Sequence, residues 1–143
     1  MKNIWIYMLI SLLTLSSIKA QSITGKWTTI DDHTGEARST VEIFERDGKI
    51  YGKIIAITNP TKRDRVCDKC SGDDRNRPLL GLEIIKGLEK NGDKYEGGTI
   101  TDPDSGKRYK CYIELEDAET LKVRGYIGMA LIGRTQIWQR AED

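Results

Sequence analysis

The chain has 143 residues, with 23 Lys and Arg set against 22 Asp and Glu and a single His. That length suits one ordinary domain. The near-neutral balance lacks the basic footprint that nucleic-acid binding leaves, and both charge signs are scattered as on a solvated surface.

The first twenty residues read as a leader rather than as part of the domain. Lys2 supplies a positive start, Ile4–Ile18 an apolar stretch, and Ile18-Lys19-Ala20 a cleavage site ahead of Gln21. This is the anatomy of a secretory signal peptide. A membrane anchor needs about 20 apolar residues, and Ser and Thr dilute this run. The expectation is therefore an exported protein, periplasmic or secreted. It carries a signal peptide over 1–20, one domain over 21–143, and no integral membrane span once the leader is removed. Loss of Lys2 and Lys19 lowers the basic count from 23 to 21, against 22 acidic residues. Export to an oxidising compartment makes a disulfide the default for two of the three cysteines, Cys67, Cys70 and Cys111.

After the leader, Ser22–Ile30 sets β-branched residues around Trp27 and predicts a strand. Asp31–Glu36 is a polar turn. Arg38–Glu45 follows as a second strand, with Val41 and Ile43 on one face. Asp47-Gly48 is a two-residue hairpin signal, and Lys49–Ile57 returns as a third strand. Here Ile50, Gly52, Ile54 and Ala56 share one face, while Tyr51, Ile55 and Ile57 load the other, a pattern that predicts cover on both sides. Thr58–Leu80 breaks the alternation with Pro60, Pro78, many charges and the pair Cys67-Asp68-Lys69-Cys70. A loop of this length in a compact domain is usually functional or stapled. Strand signals resume at Leu82–Leu88, although Leu82, Ile85 and Glu89 also suit a helical face. A turn at Asn91-Gly92 leads to Lys94–Thr101, and Asp102–Gly106 turns again. Lys107–Leu115 alternates most cleanly, with Tyr109, Cys111, Ile113 and Leu115 on one side. The last segment, Leu121–Ile127 and Arg134–Arg140 around a glycine-bearing apolar turn, Gly128–Gly133, reads as a closing hairpin.

Eight short antiparallel strands in sequence favour an all-β, up-and-down barrel, because closure removes exposed edges. The rival arrangement is an open sandwich. An eight-stranded barrel either fills its interior with side chains or holds one small ligand.

Particular residues carry a resemblance. Gly25-Lys26-Trp27 on the first strand, with Arg140 near the end of the last, resembles the lipocalin and calycin pattern. There the Trp packs at the closed end of the barrel beneath a late Arg. A longer ordered set runs Gly25-x-Trp27, Tyr51-Gly52-Lys53-Ile54, Cys67-x-x-Cys70, Gly81-Leu82, Gly97-Gly98 and Asp102-Pro103-x-x-Gly106-Lys107. It continues through Arg124-Gly125-Tyr126-Ile127-Gly128 to Gly133-Arg134-Thr135-Gln136-x-Trp138-x-Arg140. This set is similar to the DUF2147 family of exported bacterial proteins, whose function is unassigned. The resemblance spans nearly the whole chain after the leader. It implies a lipocalin-like barrel and export, and lends no activity; a fold by itself licenses none.

Candidate sites divide by chemistry. A Cys67–Cys70 disulfide would staple the long loop. The rival reading is thiol exchange, for which Arg65 and Lys69 would favour a thiolate, but such pairs usually sit at a helix N-terminus in a βαβ setting. Zinc would need four ligands; Cys111 lies on an apolar strand face and His33 in a turn, so no metal site is expected. With one His and no nucleophile-elbow pattern, no catalytic constellation is expected either. Asp73-Asp74, Asp102 and Asp104 lie where turn residues cap their own backbone. No phosphate-loop or dinucleotide fingerprint occurs, and no cofactor is expected.

What remains is the closing hairpin. Arg134, Gln136, Trp138 and Arg140 share one side of the last strand, and Arg124 and Tyr126 share a side of the strand before it. Directed inward at a barrel mouth, Arg124, Tyr126, Arg134 and Gln136 would form a ligand site with aromatic walls and a few polar groups. An Arg there would grip a carboxylate or phosphate with paired donors. The other reading is structural: Gly25, Trp27, Trp138 and Arg140 close the barrel and the remaining arginines face outward. A small amphipathic or anionic ligand is the leading functional expectation. The alternatives are a surface module that docks a protein partner through the stapled loop, and a thiol-dependent or hydrolytic envelope enzyme.

Overall fold

The computed structural model describes residues 22–129 and 131–142; the expected signal peptide and cleavage site lie outside them. Eight strands follow one another: β1 (Gly25–Ile30), β2 (Ala37–Arg46), β3 (Lys49–Ile57), β4 (Glu83–Asn91), β5 (Lys94–Thr101), β6 (Arg108–Asp117), β7 (Thr120–Tyr126) and β8 (Gly133–Arg140). Each pairs with the next, and β8 returns to β1 through Trp27 opposite Arg140 and Thr28 opposite Gln139. That last ladder excludes the open sandwich and leaves no sheet edge to template aggregation.

Local chemistry explains the turns at one end. Asp47 and Gly48 both have positive φ, at 53° and 77°, as a hairpin turn matched to strand twist requires. Between β4 and β5 Asn91 is still paired with Lys94, so the turn falls on Gly92-Asp93, one residue later than expected. Its first position is the one that needs positive φ, and Gly92 supplies 63°.

Irregular pairing corrects two strand readings. On β3, Thr40 pairs with Ala56 but Val41 pairs with Ile54, so one residue bulges. The bulge returns buried Ile57 to the interior and leaves Ala56 exposed. β3 is therefore not covered on both sides. Its outer face carries Tyr51 and Lys53: the Tyr51 ring lies 6.0 Å from that of Phe44 under the Arg46 guanidinium, and the Lys53 ammonium stands over Phe44. On β4, Gly52 pairs with Ile85 and Lys53 with Glu83, and the extra residue is Ile84. Ile84 and Ile85 are consequently both buried. Two adjacent apolar residues mimic a helical spacing, but the segment is a strand.

The core runs through the barrel, and a plug seals it at the end where β1 begins. Trp27 is fully buried, and its indole N–H donates to the Ile23 carbonyl at 2.9 Å. The Arg140 guanidinium stacks 4.3 Å from the Trp27 ring centroid. It donates to the carbonyls of Ala118 at 2.8 Å, Thr24 at 3.3 Å and Ser22 at 2.8 Å. A cation over an aromatic face with its donors spent on backbone carbonyls is a strong local fastening. Gly25 makes room for it: with φ of 125°, a Cβ there would stand 3.1 Å from an Arg140 nitrogen.

Candidate ligand cavity at the open end of the barrel

The opposite end is open. The β1–β2 turn, the long β3–β4 loop, the β5–β6 turn and the β7–β8 loop surround a cavity of about 580 Å3. Its deeper wall is apolar, from Ile54, Ile57, Leu79, Ile84, Ile100, Val123 and Trp138, and Tyr109 adds an aromatic face. Around the mouth stand Asp31, Glu36, Arg38, Lys62, Arg65, Asp102 and Arg134. The volume is that of an ordinary small-molecule site.

The β8 row runs from floor to rim as one polar line. Trp138 is buried and donates its indole N–H to Gln136 Oε1 at 2.9 Å. Gln136 Nε2 donates to Asp32 Oδ2 at 3.0 Å, and Arg134 Nε lies 3.1 Å from the same oxygen. Strand alternation places these three residues on the inner face. Arg140, next in the row, belongs to the closed end. Trp138 therefore stands apart from the Trp27–Arg140 plug, and it lines the cavity that Trp27 does not reach.

Arg124 is where the inward expectation fails. On β7 the row of Leu121, Val123 and Gly125 faces the interior, so Arg124 points outward. Its guanidinium donates to Thr135 Oγ1 at 2.8 Å and to the Leu131 carbonyl at 3.3 Å, bracing the hairpin from outside. Tyr126 sits at the rim. It borders the mouth, while its ring leans on the outward Tyr112 at 6.3 Å between centroids. Gly125 keeps the interior open, since a Cβ there would meet Ile100 at 3.3 Å.

The long loop forms a wall of the cavity. Asn59, Lys62, Arg65 and Leu79 all line it. Cys67 and Cys70 are joined by a disulfide and are buried. The Cys67 and Asn76 amides donate to the carbonyls of Arg77 and Cys67, each at 2.8 Å. Thiol exchange needs an accessible sulfur at a cationic site, and Cys67 is fully buried. Cys111 is likewise enclosed, and burial pushes its thiol up to about 12. His33 is exposed, and its amide donates to Asp31 Oδ1 in the β1–β2 turn.

Two acidic residues do more than their turns need. Asp74, read with Asp73 as a turn residue, is buried and accepts from Lys86 Nζ at 2.7 Å, with Arg108 at 3.8 Å. It straps the loop to the outer face of β4 and β6. Asp104 holds both Arg38 and Arg65, joining β2, the long loop and the β5–β6 turn across the rim. Burial pushes the Asp104 carboxyl up, but the hydrogen bonds and charges of Arg38 and Arg65 outweigh it and hold it below its ordinary value. Asp31 is held low by the His33 and Thr34 amides. Asp102, by contrast, accepts from the Asp104 amide and the Ser105 hydroxyl inside its own turn. None of the long-range partners is near in sequence, so spacing carries no sign of them. Thr101, also at the wall, is buried with a hydroxyl that has no hydrogen-bond partner among the described residues.

The sequence profile of a bacterial family described as "Uncharacterized protein conserved in bacteria (DUF2147)" matches residues 25–140. The chain belongs to the DUF2147 family. The matched span runs from the glycine beneath Arg140 to Arg140 itself, so this DUF2147 barrel is covered from its first strand to its last. Among solved structures it is similar to protein HP1028 from Helicobacter pylori, described as belonging to the lipocalin family. The two share 24% identity, with a TM-score of 0.76, over 87% of this chain and 86% of that one. That likeness gives the DUF2147 chain a lipocalin-like fold. A search of curated proteins finds no match. No helix among the described residues is long and apolar enough to cross a membrane.

Proposed function

We propose that this barrel is exported to the cell envelope and binds a small amphipathic molecule with an anionic head. The observation that carries the reading is the cavity itself, about 580 Å3 with an apolar floor and a charged mouth. The ligand's apolar part lies against Ile57, Ile84, Val123 and Trp138. Its head meets Arg134 and Gln136, which Asp32 and Trp138 already hold in place. Fixing both donors beforehand reduces the entropy that binding must overcome. Asp32 engages Arg134 through Nε, leaving the terminal amino groups to grip a carboxylate or phosphate in paired fashion. Arg38 and Arg65 flank the opposite rim on Asp104 and tune the field at the mouth.

Native mass spectrometry of the protein recovered after export tests this, with the N-terminus read in the same spectra. We expect a co-purifying small molecule that organic extraction releases. Val123→Trp, which fills the cavity, should abolish it, and Arg134→Ala should weaken rebinding of the extracted molecule about tenfold or more. A protein that emerges empty and takes up no amphipathic probe would overturn the reading. An intact leader at the N-terminus would overturn export.

A further inference from the structure

Among the described residues, the tip of the β7–β8 hairpin is the largest apolar feature left uncovered. Ile127, Met129, Leu131 and Ile132 are 65%, 66%, 84% and 66% exposed. They are not a frayed end: the Ile127 amide donates to the Ile132 carbonyl at 3.1 Å, and the Ile132 amide to the Met129 carbonyl at 2.9 Å. A defined turn thus holds four large apolar side chains in water, against the usual sorting of such residues.

We propose that this tip inserts into the headgroup region of an anionic lipid surface, so that the barrel's mouth opens onto the membrane. Three observations select a lipid surface over a protein. The first is size. Four side chains on one narrow turn make a patch of a few hundred Å2, short of the roughly 800 Å2 that a stable protein interface takes from each partner. The second is charge. From Thr120 to Arg140 the hairpin contains no acidic residue, and Arg124 and Arg134 stand on the two strands next to the tip. Lys110, opposite Tyr126 on β6, is exposed at its base. An apolar tip above a cationic base is the pattern of an interfacial anchor, the apolar part entering the acyl boundary while the cations meet anionic headgroups. The third is continuity. Ile127 and Ile132 also line the cavity, so the inserted tip and the binding site share one apolar surface. An amphipathic ligand can pass along it between bilayer and barrel without its apolar part crossing water. What the contact is for rests on the ligand-binding reading; whether it forms does not.

The experiment is co-sedimentation of the exported, leader-free protein with vesicles of phosphatidylethanolamine and phosphatidylglycerol, and separately with phosphatidylcholine alone. We expect binding to the anionic vesicles that falls at least severalfold on phosphatidylcholine and in high salt. Leu131→Asp and Met129→Ser should each reduce it about tenfold with an unchanged melting temperature, because both side chains face solvent. If either variant melts lower, the other decides. Absence of vesicle binding by the parent protein, or variants that bind as well as the parent, would overturn the inference. So would a concentration-dependent dimer in sedimentation velocity that Leu131→Asp abolishes while vesicles stay bare, since the tip's occupant would then be a second copy. Uptake of a fluorescent fatty acid in lipid-free buffer separates the two claims. Probe uptake without vesicle binding overturns only the membrane contact; tip-dependent vesicle binding without uptake overturns only the ligand site.

Discussion

Arg140 and Arg124 show how little residue type alone says about role. Both are arginines on adjacent strands of the same hairpin. One covers Trp27 and three backbone carbonyls at the closed end, and the other braces the hairpin from outside. Alternation assigns a side chain to a face, but which face is inside depends on the neighbours. Gln136 was legible as a candidate because it shares a side with Trp138; the bond from that indole to its carbonyl oxygen was not. Thr101 makes a test at this scale. Its buried hydroxyl has no partner among the described residues, so Thr101→Val removes an unsatisfied group at nearly constant shape. We expect a gain of about 0.5–1 kcal/mol, read from the urea midpoint; a loss would mean that the hydroxyl has a partner in solution.

Among the elements, the β3–β4 loop has the most external fastening. The disulfide closes a small ring, the Val66–Pro78 bridge closes a larger one, and Asp74 ties the whole to β4 and β6. Gly106 is required by this packing, since a Cβ there would lie 1.8 Å from the Lys69 carbonyl oxygen. Chain entropy alone gives so short a disulfide ring about 2 kcal/mol. Cys67→Ala with Cys70→Ala should therefore lower stability by about that amount and leave the far-ultraviolet strand spectrum unchanged; loss of the spectrum would make the loop part of the folding core. The charge clamps add a pH dependence. Glu83 is held low by its hydrogen bonds to Arg46 against the opposing effect of burial, and Asp104 is held low by Arg38 and Arg65 against burial. A depressed folded-state value means that the stabilisation is fully present above the ordinary carboxylate range, about 4. It fades as pH falls through the lower folded values. Melting temperature should drop across that acid window, and Asp104→Asn should flatten part of the drop. An unchanged slope would show that the rim clamp contributes nothing.

At the scale of the whole molecule, closure separates two ends of different chemistry. The closed end is packed around Trp27 and Arg140, and the open end keeps its volume because Gly125 and the β3 and β4 bulges shape a wall without filling it. Trp27→Ala removes a fully buried side chain from the sealed end and leaves Arg140 without its platform. We expect a loss of about 3–5 kcal/mol, measured by urea unfolding. A much smaller loss would mean that the ladder between β1 and β8 alone keeps the barrel shut.

Strand count, most turn positions and the all-β class were legible because they depend on near neighbours. Period-two alternation marks a strand, an Asp-Gly pair marks a hairpin, and Gly25-Lys26-Trp27 with Arg140 marks a closed end through resemblance. The bulges at Ile55 and Ile84 were not legible, because a bulge is a relation between two strands and leaves only a disturbed alternation in one. The cavity was legible only as an option, since the same alternating strands fit a filled interior or an open one. What decided it was tertiary. Sheet curvature and the fastened loop set the distance between walls, and bonds such as Asp104 to Arg38 join residues whose separation along the chain carries no mark of their contact. Local sequence determines which way each backbone segment runs, whereas an enclosed volume exists only once all eight strands have met.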